Sequence, residues 1–238
     1  MQLSCILLFI FIKIMTISAI ILSGGKGSRM GKPIPKQYLS LCDQLIILRS
    51  LDAILTFSSW KEIVIVCEPC YQPLFASYKK IPLTFALPGK TRQDSLFSGF
   101  DALVSPSKWI CIHDGARPLL KKKELFDVID AGKTYGAATL AIPVTTTIKE
   151  SDDHLFVRKT LDRSKLWNIQ TPQILRSDLL QKGRTYILEN TLSITDDVSL
   201  AEALGHPVKL VLGSESNIKI TTPEDLHLAK LLLEKTDD

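Results

Sequence analysis

The sequence predicts an α/β domain: a Rossmann-like three-layer sandwich with a mainly parallel central sheet, spanning residues 15–238, with a projecting β-arm over about 145–173. Two patterns carry that prediction. Short unbroken apolar runs of strand length alternate with segments whose apolar residues recur at helical spacing. The loops that follow the runs hold most of the glycines and charges of interest, and in open α/β sheets ligands lie beyond the carboxyl ends of the strands. With 238 residues, 45% hydrophobic and 23% charged, the chain suits one domain with a sizeable core.

Residues 1–14 stand apart, being apolar except for Gln2, Ser4 and Lys13. They are too short to span a bilayer, which takes roughly 20 residues. They also lack a basic leader and a small-residue cleavage site. The expectation is a non-structural extension, with Met15 as the true start.

Residues 17–22 then read as a strand buried on both faces. It empties into Ser23-Gly24-Gly25-Lys26-Gly27-Ser28-Arg29-Met30, followed by Pro35-Lys36-Gln37-Tyr38. Glycines at a strand end leave backbone N–H groups free to face an anion. A P-loop fails here, because Gly31-Lys32 is followed by Pro33, which has no hydroxyl for magnesium. A dinucleotide fingerprint begins with Gly25-Lys26-Gly27 but meets Met30 where the third glycine belongs. Lys26, Arg29, Lys32 and Lys36 crowd the same turn. Cations beside free amides suit a polyphosphate whose charge grows during phosphoryl or nucleotidyl transfer.

Further along, 45–57 has helical spacing and 62–67 reads as a second buried strand. A helical stretch at 73–78, a short strand at 83–87, the loop 88–95 and a helix to about 104 continue the alternation. Strand 109–113, a helix over 122–131 and strand 137–142 repeat it. Residues 145–173 change character: 146–150 and 154–160 flank an acidic turn and read as a hairpin with too little apolar content for a core of its own. It is expected to project against a second subunit. An amphipathic helix over 177–188 follows, then a helix capped by Thr195 with Asp196 and Asp197 at its positive end. Last come strands at 208–212 and 218–220 and a terminal helix opened by Pro223.

Net charge is +4, and no basic tract is interleaved with aromatics, which argues against nucleic acid as a partner. No membrane association is expected. The five cysteines form an odd set without a disulfide framework, as in a reducing, cytoplasmic setting. Cys67-Glu68-Pro69-Cys70 has redox or half-zinc spacing but no second pair, and reads as a strand-end and a loop cysteine.

The glycine turn with Pro35-Lys36-Gln37-Tyr38 resembles the signature of the 2-C-methyl-D-erythritol 4-phosphate cytidylyltransferases, in the nucleotide-diphospho-sugar transferase superfamily. Four later stretches extend the resemblance to the rest of the chain: 89–95; His113-Asp114-Gly115-Ala116-Arg117-Pro118; 160–173; and 217–225. It implies attack of a phosphate monoester oxygen on the α-phosphorus of CTP, transferring CMP to 2-C-methyl-D-erythritol 4-phosphate. The products are 4-diphosphocytidyl-2-C-methyl-D-erythritol and pyrophosphate, in non-mevalonate isoprenoid biosynthesis. Such a nucleophile needs alignment and charge neutralisation more than a base. The resemblance assigns the transition state to Arg29 and Lys36 and the acceptor phosphate to Arg163 and Lys219. Asp114, Arg117, Thr147 and Thr171 match acceptor contacts, with Arg163 and Thr171 acting across the interface of a homodimer. Gly24, Gly25, Gly89, Lys90 and Ser95 match the cytidine and triphosphate pocket; magnesium is held mainly by the CTP phosphates and no residue is assigned as a metal ligand.

Ser23, Lys90 and Gly115 depart from the family's usual Ala, acid and Ala. A ribitol 5-phosphate cytidylyltransferase is the near alternative, sharing nearly every motif. A non-catalytic nucleotide sensor on the same fold is the distant one.

Overall fold

The computed structural model describes residues 17–27, 30–79, 82–104 and 107–234. The expected extension at 1–14 lies outside them. In chain order the elements begin with β1 (Ile17–Leu22), the small hairpin β2 (Ser40–Leu41) and β3 (Gln44–Leu45), α1 (Ile46–Leu55), β4 (Ile63–Val66), β5 (Leu83–Ala86) and α2 (Arg92–Asp101). There follow β6 (Trp109–Asp114), α3 (Lys122–Tyr135), β7 (Ala137–Pro143), β8 (Lys149–Ser151), β9 (Val157–Thr160) and β10 (Trp167–Arg176). The chain closes with α4 (Ser177–Glu189), α5 (Ser199–Glu202), β11 (Lys209–Leu212) and α6 (Pro223–Glu234).

Among the described residues, seven strands make one sheet in the order β11-β7-β10-β6-β1-β4-β5. All pairings are parallel except the two that β10 makes, antiparallel to β6 and to β7. Successive side chains of a strand point to opposite faces, so an apolar run demands cover on both. Ile17, Ala19 and Ile21 of β1 accordingly pack with Ile63 and Ile65 under α1 and α3. Ile20 of β1, with Val64 and Val66, packs on the other face under α2, α4 and α5 through Leu96, Leu180 and Leu200.

Helix boundaries have local causes. Thr91 caps α2 by accepting from the Asp94 N–H while Asp94 accepts from the Thr91 N–H, a reciprocal box that satisfies two otherwise orphaned donors. Gly136 ends α3 at φ 93°, a conformation that favours glycine, and its N–H reaches the Gly132 carbonyl at 2.8 Å.

Three expectations need correction. The hairpin β8–β9 forms, but 167–173 does not belong to the arm: it lies in β10, between β6 and β7 at the middle of the sheet. Pro172 disguises that strand, because proline is expected only at edges or bulges. The ladder does shift register between Ile169 and Gln173 to accommodate it. Thr195 caps no helix: α5 starts only after Val198, its first N–H, that of Ser199, is accepted by Asp196, and Asp197 is engaged by Arg92. Residues 218–220 form no strand; the Ile220 N–H instead bonds the Ala116 carbonyl.

Candidate active site

A cleft of about 1120 Å³ opens beyond the carboxyl ends of β1, β4, β5 and β6. Each strand end contributes one wall. β1 supplies Gly24, Gly25 and Lys26; β4 is followed by Glu68, Cys70 and Tyr71; β5 by Gly89, Lys90 and Arg92; β6 ends in Asp114. Lys36, Lys219 and Thr221 complete it.

The glycine turn is held from behind. Gln37 Nε2 donates to the carbonyls of Ser23 at 2.5 Å and Gly25 at 2.9 Å, and Tyr38 donates its hydroxyl to the Ser23 carbonyl at 3.0 Å. With its carbonyls tied to the protein, the turn offers the cleft donors rather than acceptors, as an anion site requires. Burial pushes the Tyr38 phenol up from its ordinary value, so it stays a neutral donor. Its ring stacks on Tyr71 at 3.6 Å, joining the β1 and β4 walls.

On the β5 side, the Gly89 N–H donates to Ser95 Oγ at 3.0 Å, and Ser95 Oγ donates to the Thr91 carbonyl at 2.9 Å. A Cβ at Gly89 would stand 2.2 Å from Asp94 Cβ, and one at Gly24 would stand 2.1 Å from Pro88 Cβ. Gly24 therefore requires glycine because the two loops touch there, and Gly89 because its loop folds back onto the first turn of α2.

Asp114 is the electrostatic centre. Lys219 Nζ lies 2.8 Å from Oδ2, Arg92 Nη2 3.2 Å from Oδ1, and Arg117 Nε 3.6 Å from Oδ2. Burial alone would push this carboxyl up, but Arg92, Lys219 and Arg117 together hold it well below the usual carboxylate range. Asp114 therefore stays ionised at any working pH. The segment bearing Lys219 is fixed by the Ile220 bond to Ala116 and by Asp225 of α6, which accepts from the Thr221 and Thr222 N–H groups. Thr221 in turn accepts from Lys36 Nζ at 3.4 Å.

Behind Asp114 the hydrogen-bond donors and acceptors resolve into one chain. The Asp114 N–H donates to Thr171 Oγ1 at 3.0 Å, leaving that hydroxyl to donate to His113 Nδ1 at 3.0 Å. His113 Nε2 faces the Arg117 carbonyl at 3.1 Å, which can only accept. The pattern requires a neutral imidazole protonated on Nε2. Burial pushes His113 down to about 4, in agreement.

The residues expected at the site thus separate into groups. Gly24, Gly25, Lys36, Gly89, Lys90, Ser95, Asp114 and Lys219 share the cleft. Arg29 lies outside the described residues. Thr147 and Arg163 are exposed beside the hairpin and line no part of this cleft; Arg163 Nη1 donates to the Thr145 carbonyl at 2.6 Å. Thr171 and Arg117 lie largely buried around Asp114. Thr171, 3% exposed, supports Asp114 by accepting from its N–H. Arg117, 9% exposed, donates to the Asn217 carbonyl at 2.7 Å and braces Asp114 from beneath. His113 is a packed histidine, as read beside its strand; Cys70 lines the cleft and Cys67 is buried, both as free thiols.

Two residues escaped the sequence reading. Arg92 sits within the 89–95 motif without a role of its own there, and in the sequence Asp197 reads as a helix-end acid. They form a bidentate pair between the start of α2 and the turn before α5, Nη1–Oδ1 2.5 Å and Nη2–Oδ2 2.8 Å. Their separation in the sequence gave no signal of it.

A mainly parallel α/β sheet carrying a tied-back glycine turn, four lysines and a clamped carboxylate at its strand ends defines a nucleotide-handling transferase. The sequence profile of the 2-C-methyl-D-erythritol 4-phosphate cytidylyltransferases matches residues 17–235, and the chain belongs to that family. A chloroplastic relative of that name from rice (Oryza sativa) is 45% identical, over 93% of this chain and 76% of its own length. One from Chlamydia pneumoniae is 41% identical, over 91% of this chain and 98% of its own. The crystal structure of 4-diphosphocytidyl-2C-methyl-D-erythritol synthase from Anaerococcus prevotii superposes with a TM-score of 0.82 at 29% identity, covering 93% of this chain and 99% of that one.

Proposed function

We propose that this chain transfers CMP from CTP to 2-C-methyl-D-erythritol 4-phosphate. The observation that carries the reading is the meeting of Lys36 and Lys219 with the clamped Asp114 in one cleft whose floor is the glycine turn. An acceptor phosphate oxygen forms a bond to the α-phosphorus of CTP, the bond to the bridging oxygen breaks, and pyrophosphate leaves with the electron pair. No proton need be removed, since a phosphate monoester is largely dianionic near neutral pH.

In this reading the glycine turn, Gly89, Lys90 and Ser95 hold CTP, while Lys36 and Arg29 neutralise charge on the α-phosphate and the leaving group. Lys219 holds the acceptor phosphate and Asp114 accepts from an acceptor hydroxyl. Arg163 and Thr147 act on a neighbouring subunit's site, which makes the enzyme a homodimer joined through the β8–β9 hairpin. The exposed apolar tip of that hairpin, Leu155 and Phe156 at 86% and 72% exposed, supports such a contact.

Among the described residues Asp114 is occupied by Arg92 and Lys219, and no group of three or more potential ligands occurs. Magnesium enters the proposal as a companion of the CTP phosphates. No described helix is long and apolar enough to cross a membrane. A cytoplasmic location remains part of the proposal, while the rice relative is named as chloroplastic.

The test is pyrophosphate release from purified protein with CTP and magnesium, offering methylerythritol phosphate and ribitol phosphate in parallel. Release with methylerythritol phosphate alone is expected. Release only with ribitol phosphate would replace the acceptor, and silence with both while CTP still binds would favour a sensor.

A further inference from the structure

We infer that Arg92 and Asp197 form a charge clamp that positions the Asp114–Lys219 pair for the acceptor substrate. The inference rests on the cytidylyltransferase reading above and concerns two residues that the family motifs left without a role.

Asp197 is 1% exposed, and both of its oxygens face the Arg92 guanidinium. It is fixed by Gln173 of β10, whose Oε1 accepts from the N–H groups of Asp197 at 2.7 Å and Val198 at 3.0 Å. Burial pushes the Asp197 carboxyl up from its ordinary value against the pull of Arg92, so this carboxylate depends on the guanidinium to stay ionised. The same guanidinium presents Nε and Nη2 to Asp114 Oδ1 at 3.3 and 3.2 Å. A planar fork can satisfy two carboxylates along two edges; a lysine ammonium cannot.

The charge count gives the arrangement its purpose. Arg92, Arg117 and Lys219 face Asp114 and Asp197, leaving one positive charge in surplus. Lys219 has the most exposed side chain of the five, at 37% against 29% for Arg92 and 11% for Arg117. The surplus is thus presented to the cleft on the ammonium that meets the acceptor phosphate. Without Asp197, Arg92 would have Asp114 as its only carboxylate, draw it away from Lys219 and disorder that contact. Arg92 is therefore a positioning residue, and a simple fastening would not need a side chain that lines the cleft.

The experiment compares steady-state constants for both substrates in the unsubstituted protein, Asp197→Asn, Arg92→Lys and the double variant, with thermal melting on each. Each single variant should raise KM for the acceptor about tenfold, the scale of one charge-assisted contact, while KM for CTP stays within about twofold. The double variant should be no worse than the poorer single, because both changes open the same clamp. If Asp197→Asn fails to fold, Arg92→Lys carries the comparison. Unchanged acceptor KM in the folded variants, with only a lower Tm, would overturn the clamp and leave a fastening. An equal rise in KM for CTP would overturn it by moving Arg92 to the triphosphate. Absence of turnover in the unsubstituted protein would instead overturn the cytidylyltransferase reading and take the inference with it.

Discussion

Acid should destabilise this protein through His113. The imidazole is fully buried and held neutral, with burial pushing it from its ordinary 6.5 down to about 4. Between those two values the unfolded chain binds a proton that the folded chain refuses, so stability rises with pH across the window and is lost as pH falls from 6.5 towards 4. At about 1.4 kcal/mol per pH unit, lowering pH from 7.5 to 4.5 removes about 2.5 kcal/mol through this group alone. That is a sizeable part of the roughly 5–15 kcal/mol holding a typical domain folded. Asp114 does not intrude: its depressed carboxyl contributes stability that is present above about 4 and lost only below. Urea unfolding at a series of pH values, in the unsubstituted protein and in His113→Gln, would read the slope. The glutamine variant should be less stable at pH 7.5 but nearly flat down to 4.5, apart from contributions common to both proteins. Parallel curves would show that His113 takes no part, and would refute the neutral hydrogen-bond chain through Thr171.

Two further perturbations probe the cleft. Gly89→Ala brings its Cβ within 2.7 Å of the Asp94 carbonyl carbon and 2.9 Å of the Ser95 nitrogen, so it should cost about 1–2 kcal/mol through the lost α2 cap and weaken CTP about tenfold by calorimetry. CTP affinity within twofold of the unsubstituted protein would remove that loop from the nucleotide site. Arg163→Ala, at an exposed position, should leave Tm and CTP affinity nearly unchanged while turnover falls about a hundredfold. A comparable loss of CTP binding would place Arg163 with the nucleotide instead.

What the sequence disclosed, and what it hid, follows from how local each signal is. β1 and its glycine turn were legible because a doubly buried strand must be apolar throughout and the turn follows within a few residues. Asp114 and Lys219 could be named from their motifs. That they meet at 2.8 Å was not readable, since the two residues lie more than a hundred positions apart in the sequence. Asp197 misled for the same reason: an acid near a helix start has a sufficient local explanation, and its true partner, Arg92, is 105 residues away. β10 was hidden by Pro172, whose cost is absorbed by a register shift that only the neighbouring strands define. That Thr171 lies buried in β10 was hidden too, because its motif runs from the exposed arm into the sheet without a change in composition.

The position of β10 also bears on how the chain reaches this structure. β1, β4, β5 and β6 are made early and can assemble as a parallel half-sheet, but β6 keeps an open inner edge until residues 167–176 arrive. β7 is made before β10 and touches the first half only through it, so it too must wait for its inner neighbour. The seam between the halves therefore closes late in synthesis, after about three-quarters of the chain has emerged. Until then the edge that carries Asp114 is a template for stray strand pairing. The same strand that secures the active site is thus the one on which clean folding during synthesis depends.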